Sequence, residues 1–81
     1  MLSASQLKNY IQDGLTCEYC EVRGDDGTHF DAVIVSAEFV GKTMVQQHQL
    51  VYKALGHRMQ QEIHALSMQT MTPESWARAQ I

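Results

Sequence analysis

Proline occurs once in this chain, tryptophan once and cysteine twice. One proline leaves no proline-rich linker. With no repeat or low-complexity tract either, residues 1–81 read as a single domain. Two cysteines, Cys17 and Cys20, are too few for the disulfide framework of a small secreted scaffold. No apolar run approaches the roughly 20 residues that a membrane-spanning helix needs. The N-terminus shows neither a basic region followed by an apolar one nor an arginine-rich amphipathic leader. The expected location is cytoplasmic, without membrane contact. Positive charge is scarce too: six Lys and Arg stand against nine Asp and Glu, for a net charge of −3. Such a surface has little general attraction for nucleic acid or anionic lipid, so any DNA binding must come from a local patch.

What is present is ordinary globular material, 44% hydrophobic and 19% charged. A domain of this size buries only about 60–65% of its unfolded surface, so its core is small and an internal substrate pocket would compete with it. Ser3 and Gln6 form a Ser-x-x-Gln capping box. Leu7, Tyr10 and Ile11 follow at helical spacing, which predicts a helix over Ala4–Asp13 with Gly14 as its left-handed stop. Tyr19–Arg23 reads as a strand, and Gly24–Thr28 is turn chemistry. His29–Ser36 is a second strand, central by its near-continuous hydrophobicity and joined to the first as an antiparallel hairpin. Thr43 caps a helix ending near Leu55, its apolar arc made by Met44, Val45, Val51, Ala54 and Leu55. A short helix at His57–Gln61 leads into the strand Glu62–Thr70. That strand is expected to be mostly buried and to hold the sheet together, with Leu66 and Met68 facing one way and Ile63 and Ala65 the other. Thr72 and Pro73 start a final helix. The order αββααβα predicts an α+β fold, a three-stranded mixed sheet with helices on one face.

Catalytic apparatus is not visible. No nucleophile–base set has a supporting motif, and the only Gly-x-x-Gly lies in the hairpin. Cys17 and Cys20 have redox spacing but run into a strand, where residues three apart face opposite ways, so they read as two unrelated thiols. A single pair is also too little for a structural zinc site. Asp25 and Asp26 read as turn formers, since no third acidic ligand stands at calcium-loop spacing. His48 and His57 lie on helices without companion ligands and read as surface or packing residues. His29, at the end of the glycine-containing loop, is either a solvent-exposed histidine or a transition-metal ligand. His64, at the entrance of the last strand, is either a satisfied structural histidine or the second donor of a converging pair.

Gly27-Thr28-His29-Phe30, Phe39-x-Gly41-Lys42, Val51-Tyr52-x-x-Leu55, Ile63-His64-Ala65-Leu66-Ser67 and Thr72-Pro73-Glu74-Ser75-Trp76, in that order, resemble the BolA family. Asp26–Phe30 and Trp76-Ala77-Arg78 resemble its IbaG-like bacterial branch. The resemblance runs from Leu2 to about Arg78. It implies a class II KH-like fold and a non-enzymatic role in iron–sulfur cluster assembly or trafficking. It implies that His64 is the hallmark metal ligand, with His29 the second. The implied partner is a monothiol, CGFS-type glutaredoxin. The implied cofactor is a 2Fe–2S cluster shared with that glutaredoxin and glutathione, and absent from the isolated chain, which would be a monomer or weak homodimer. Imidazole in place of thiolate on one iron makes the cluster less negative and raises its potential. His29 is expected to swing on its loop, and His64 to be the fixed point near it on one edge. Some relatives regulate transcription through a KH-like helix–turn–helix surface, which here would use Lys42, Lys53 and Arg58. Gln46 and Gln47 stand where relatives often carry Arg or Lys, which removes much of the phosphate attraction of that alternative.

Overall fold

The computed structural model describes residues 2–24, 26–58 and 65–80. The first helix, α1, spans Ala4–Gly14. The Ser3 hydroxyl accepts from the Gln6 amide at 3.1 Å, and the Gln6 side chain accepts from the Ser3 amide at 2.8 Å. Strand β1 is Tyr19–Arg23 and β2 is His29–Val35. They pair antiparallel, Tyr19 opposite Val35 and Arg23 opposite Asp31. A turn of 3-10 helix at Ala37–Phe39 leads to α2, Met44–Leu55, whose N-terminus carries a second capping box between Thr43 and Gln46. Strand β3, Ala65–Met71, lies parallel to β2, and α3, Pro73–Ala79, closes the described chain behind Thr72. The sheet has three strands in the order β1-β2-β3.

The α+β architecture and the mixed sheet match the expectation from sequence. Only His57 and Arg58 of the helix expected at His57–Gln61 are described, and Glu62, Ile63 and His64 of the last strand lie outside the described residues. The core lies between α1 and α2 and one sheet face. Leu7, Ile11, Val51 and Leu55 from the helices meet Cys20, Val22, Phe30, Ala32 and Ile34 from the strands, with Phe39 closing one side. At the other face Trp76 of α3 stacks on Tyr19, ring centroids 4.6 Å apart.

Three expectations are corrected. The last strand does not hold the sheet together. It is an edge strand in which only Thr70 is buried, and the central place belongs to β2, whose inward residues are covered by both helices. Gly14 is not a left-handed stop, because no positive φ occurs there and it is itself the last residue of the helix. It permits a close approach instead: a Cβ at Gly14 would stand 2.8 Å from the Cα and Cβ of Ala54. Met44 and Val45 leave the apolar arc of α2 for solvent, 56% and 65% exposed, and Leu50 packs against the core in their stead.

Among the described residues the buried hydroxyls of Ser36 and Thr70 are paired, as their desolvation cost requires. The Ser36 hydroxyl donates to the Thr16 carbonyl and accepts from the Glu38 amide. The Glu38 carboxylate takes the Thr16 amide, and the Glu18 carboxylate takes the Ala37 amide. These bonds clamp the turn after β2 onto the approach to β1. The Thr70 hydroxyl donates to Gln47 Oε1 at 2.6 Å, and Gln47 Nε2 donates to the Lys42 carbonyl at 3.0 Å. Gln47 thereby ties the edge strand to the start of α2.

Candidate functional site

The loop between β1 and β2 is built around one carboxylate. Gly27 takes φ +78°, a region that glycine enters without steric cost, so the chain can curl back over the preceding residue. Asp26 Oδ1 then accepts the backbone amides of Thr28 and His29 at 2.9 and 2.8 Å. Its other oxygen, Oδ2, lies 2.8 Å from Nδ1 of the His29 ring. The Thr28 hydroxyl stands 2.9 Å from the same nitrogen. The Asp26 carboxyl is held well below the usual carboxylate range, first by the His29 amide, then by the Thr28 amide and the His29 ring. Asp26 is thus a turn former, as its sequence context implies, and it is also the partner of an imidazole. Asp25 lies outside the described residues.

With Nδ1 occupied, Nε2 is the nitrogen of His29 that has no partner among the described residues. The side chain is 72% exposed, so that nitrogen is open to an incoming molecule. His29 is the first residue of β2, and the Thr28 carbonyl just before it accepts the Ala65 amide at 3.1 Å. The swinging loop ligand expected from sequence is therefore a strand residue with a tethered ring. His29 pairs in register with Ala65, the residue that directly follows His64 in the chain. His64 itself lies outside the described residues. Among the described residues no three His, Cys, Asp or Glu side chains converge as a metal site. The donor chemistry at His29 suits an iron centre: a borderline nitrogen donor, sterically open and backed by a carboxylate. One such ligand does not complete a coordination sphere, so donors from elsewhere are needed.

The remaining candidates separate. Lys42 and Lys53 line one groove of about 460 Å³ along α2, together with Gln46, Gln49 and Leu50. Arg58 is not part of it; its guanidinium sits 4.1 Å above the Tyr10 ring. Gln46 is spent on the Thr43 cap and Gln47 on Thr70. His48 is half-buried, its Nε2 without a hydrogen-bond partner, and His57 is exposed.

The two thiols are not unrelated. Cys17 lies ahead of β1, where the chain bends at Glu18, so strand alternation does not separate it from Cys20. Its thiol donates to the Leu15 carbonyl at 3.3 Å and also meets the Cys20 sulfur. That contact pushes the Cys17 thiol far up and pulls Cys20 down, with Lys8 adding to the second effect. Cys20, the more acidic of the two, is buried in the core cluster. Cys17 is only half-exposed and Cys20 is shielded in the core, so neither is the open, acidic thiol that a redox centre presents. At pH 8, iodoacetamide should alkylate both thiols of the folded protein at least about tenfold more slowly than a free cysteine, with the difference vanishing in guanidinium. Fast alkylation of either thiol near pH 7 in the folded state would restore a redox role.

Fold and site define a small class II KH-like α+β domain that presents an imidazole at the mouth of its central strand. The family model described as BolA-like protein matches residues 7–75, and the chain belongs to that family. It is 37% identical over 81 residues to BolA-like protein 2 of Mus musculus, covering 95% of this chain and 93% of that one. It is 44% identical over 54 residues to the DNA-binding transcriptional regulator BolA of Haemophilus influenzae, covering 67% of this chain and 52% of that one. A solved bolA protein homologue from Coxiella burnetii has a TM-score of 0.83 and 41% identity, with 96% of this chain and all of that chain covered. No helix among the described residues is long and apolar enough to cross a membrane.

Proposed function

We propose that this chain is a non-enzymatic cytoplasmic partner of a monothiol glutaredoxin, to which it brings histidine ligands for a shared 2Fe–2S cluster during cluster assembly or trafficking. The observation that carries the reading is His29: an exposed ring with Nδ1 engaged and Nε2 without a partner among the described residues, paired in register with the residue beside His64. His29 supplies one donor and His64 the other, while glutaredoxin cysteine and glutathione thiolate hold the far side. A bound cluster supplies one-electron chemistry, and imidazole ligation raises its potential. The chain's own part is to present nitrogen at a rigid strand end and to leave the rest of the coordination to the partner.

The test is the visible absorption and circular dichroism of a glutaredoxin–glutathione cluster titrated with this protein. Wild type should shift the spectrum, and His64→Ala and His29→Ala should each reduce the shift. A wild-type spectrum from His64→Ala would remove His64 as a ligand.

A second reading, DNA binding, is favoured by the Lys42–Lys53 groove and by the DNA-binding regulator among the relatives. Two lysines on a chain of net charge −3 give it weaker support. Binding to duplex DNA that falls steeply with salt would favour it, and no binding at low salt would end it.

A further inference from the structure

We propose that Asp26 is a positioning residue: its carboxylate holds the ring proton of His29 on Nδ1 and so dedicates Nε2 to an incoming iron. The inference rests on the cluster-ligating reading of His29 and adds a residue and a selection rule to it. A neutral imidazole carries one proton on either nitrogen, and whichever nitrogen carries it cannot ligate. In water the two tautomers interchange. Here Oδ2 of Asp26 stands 2.8 Å from Nδ1, and an ionised carboxylate only accepts, so Nδ1 must donate. The Thr28 hydroxyl, 2.9 Å from Nδ1, can accept a share of the same proton or turn away, and it does not compete for Nε2.

The carboxylate does not depend on the histidine for its own position. Oδ1 is fixed by two backbone amides, those of Thr28 and His29, which hold it whatever the ring does. The acceptor is therefore in place before any metal arrives, and the ring orients against it. A carboxylate behind a ligating imidazole also raises the basicity of the ligand, and loss of such a partner typically costs about 10–100-fold in metal affinity. Gly27 completes the device, because its left-handed backbone lets the chain fold Asp26 back toward His29.

Asp26→Asn separates the turn from the tautomer. Asparagine keeps an oxygen for the two backbone amides and turns an N–H group toward Nδ1. Nδ1 must then accept, which moves the ring proton to Nε2, the nitrogen needed for iron. The first measurement uses the isolated protein without metal: long-range proton–nitrogen correlation of the His29 ring. Wild type should show Nδ1 protonated, and Asp26→Asn should show Nε2 protonated. A wild-type ring protonated on Nε2 overturns the proposal without recourse to any variant.

The second measurement titrates the glutaredoxin–glutathione cluster with wild type, Asp26→Asn and His29→Ala, read by visible circular dichroism. Asp26→Asn should need at least about tenfold more protein for the same change. If His29→Ala is impaired and Asp26→Asn is not, the positioning role is wrong and the ligand assignment stands. If His29→Ala matches wild type, the ligand assignment of His29 fails, and the role of Asp26 fails with it.

Discussion

Phe39→Ala should lower the stability of this protein by about 3–5 kcal/mol, the usual loss when a large buried aromatic is cut back to a methyl group. Phe39 is wholly buried although it sits in a three-residue turn of 3-10 helix between β2 and α2. Its ring belongs to the cluster that includes Ile34, Val51 and Leu55, so it links the central strand to the second helix. The backbone around it is clamped by Ser36, Glu38 and Glu18, which leaves the segment little freedom to collapse into the space the ring vacates. A domain of 81 residues has only about 4–12 kcal/mol in total. The variant is therefore expected to be partly unfolded at 37 °C. Urea unfolding should show a lower midpoint with an unchanged slope, the mark of lost stability without a changed unfolded state. Val40, its neighbour, is 62% exposed, and Val40→Ala should stay within about 0.5 kcal/mol of wild type. Equal losses at the two positions would mean that Phe39 does not anchor the connection.

The contrast between these neighbours shows where sequence reasoning stops. Periodicity places residues well on regular elements: Leu7 and Ile11 on α1 and Cys20 and Val22 on β1 all turn into the core, at the helical and alternating spacings those elements require. It has no purchase on a connection, where Phe39 and Val40 are both apolar and adjacent, and only the tertiary packing separates them. The capping boxes were written in the chain in the same form, Ser-x-x-Gln and Thr-x-x-Gln, because a cap is a local bond between residues three apart. The place of β3 at the edge was not legible. A Leu-x-Met alternation fits an edge strand with one covered side as well as a strand at the centre, and pairing is a long-range choice.

At the candidate site, the histidine was legible and its state was not. The loop composition marks Asp26 as a turn former and His29 as a possible ligand, each on its own account. That one carboxylate does both, closing the turn with one oxygen and holding the ring with the other, depends on the left-handed backbone of Gly27 and appears only in three dimensions. The thiols went the other way. Strand parity kept Cys17 and Cys20 apart on paper, but parity begins only at Tyr19, and the bend before it brings the sulfurs together.

Gly14→Ala distinguishes two physical accounts of the same glycine. If Gly14 were a left-handed stop, alanine there would cost about 1 kcal/mol of backbone strain, indifferent to what lies on α2. The observed backbone is helical, so alanine instead gains close to 1 kcal/mol of helix propensity. Against that gain stands a methyl group placed 2.8 Å from Ala54 Cα and Cβ and 2.9 Å from the Ala54 carbonyl oxygen. Two of those atoms are backbone, so no rotamer change relieves the contact; α1 and α2 must move apart. Val51 and Leu55, on either side of Ala54, are wholly buried against the core that Leu7 and Ile11 share, so separation loosens all four. Overpacking of this kind costs about 1–3 kcal/mol, and the variant should be destabilised despite its better helix former. Ala54→Gly in the same chain removes only the Cβ part of the clash and should restore part of the loss. A double-mutant cycle from urea midpoints should therefore show a coupling of at least about 0.5 kcal/mol between the two positions. Strict additivity would mean that Gly14 does not serve the approach of the helices.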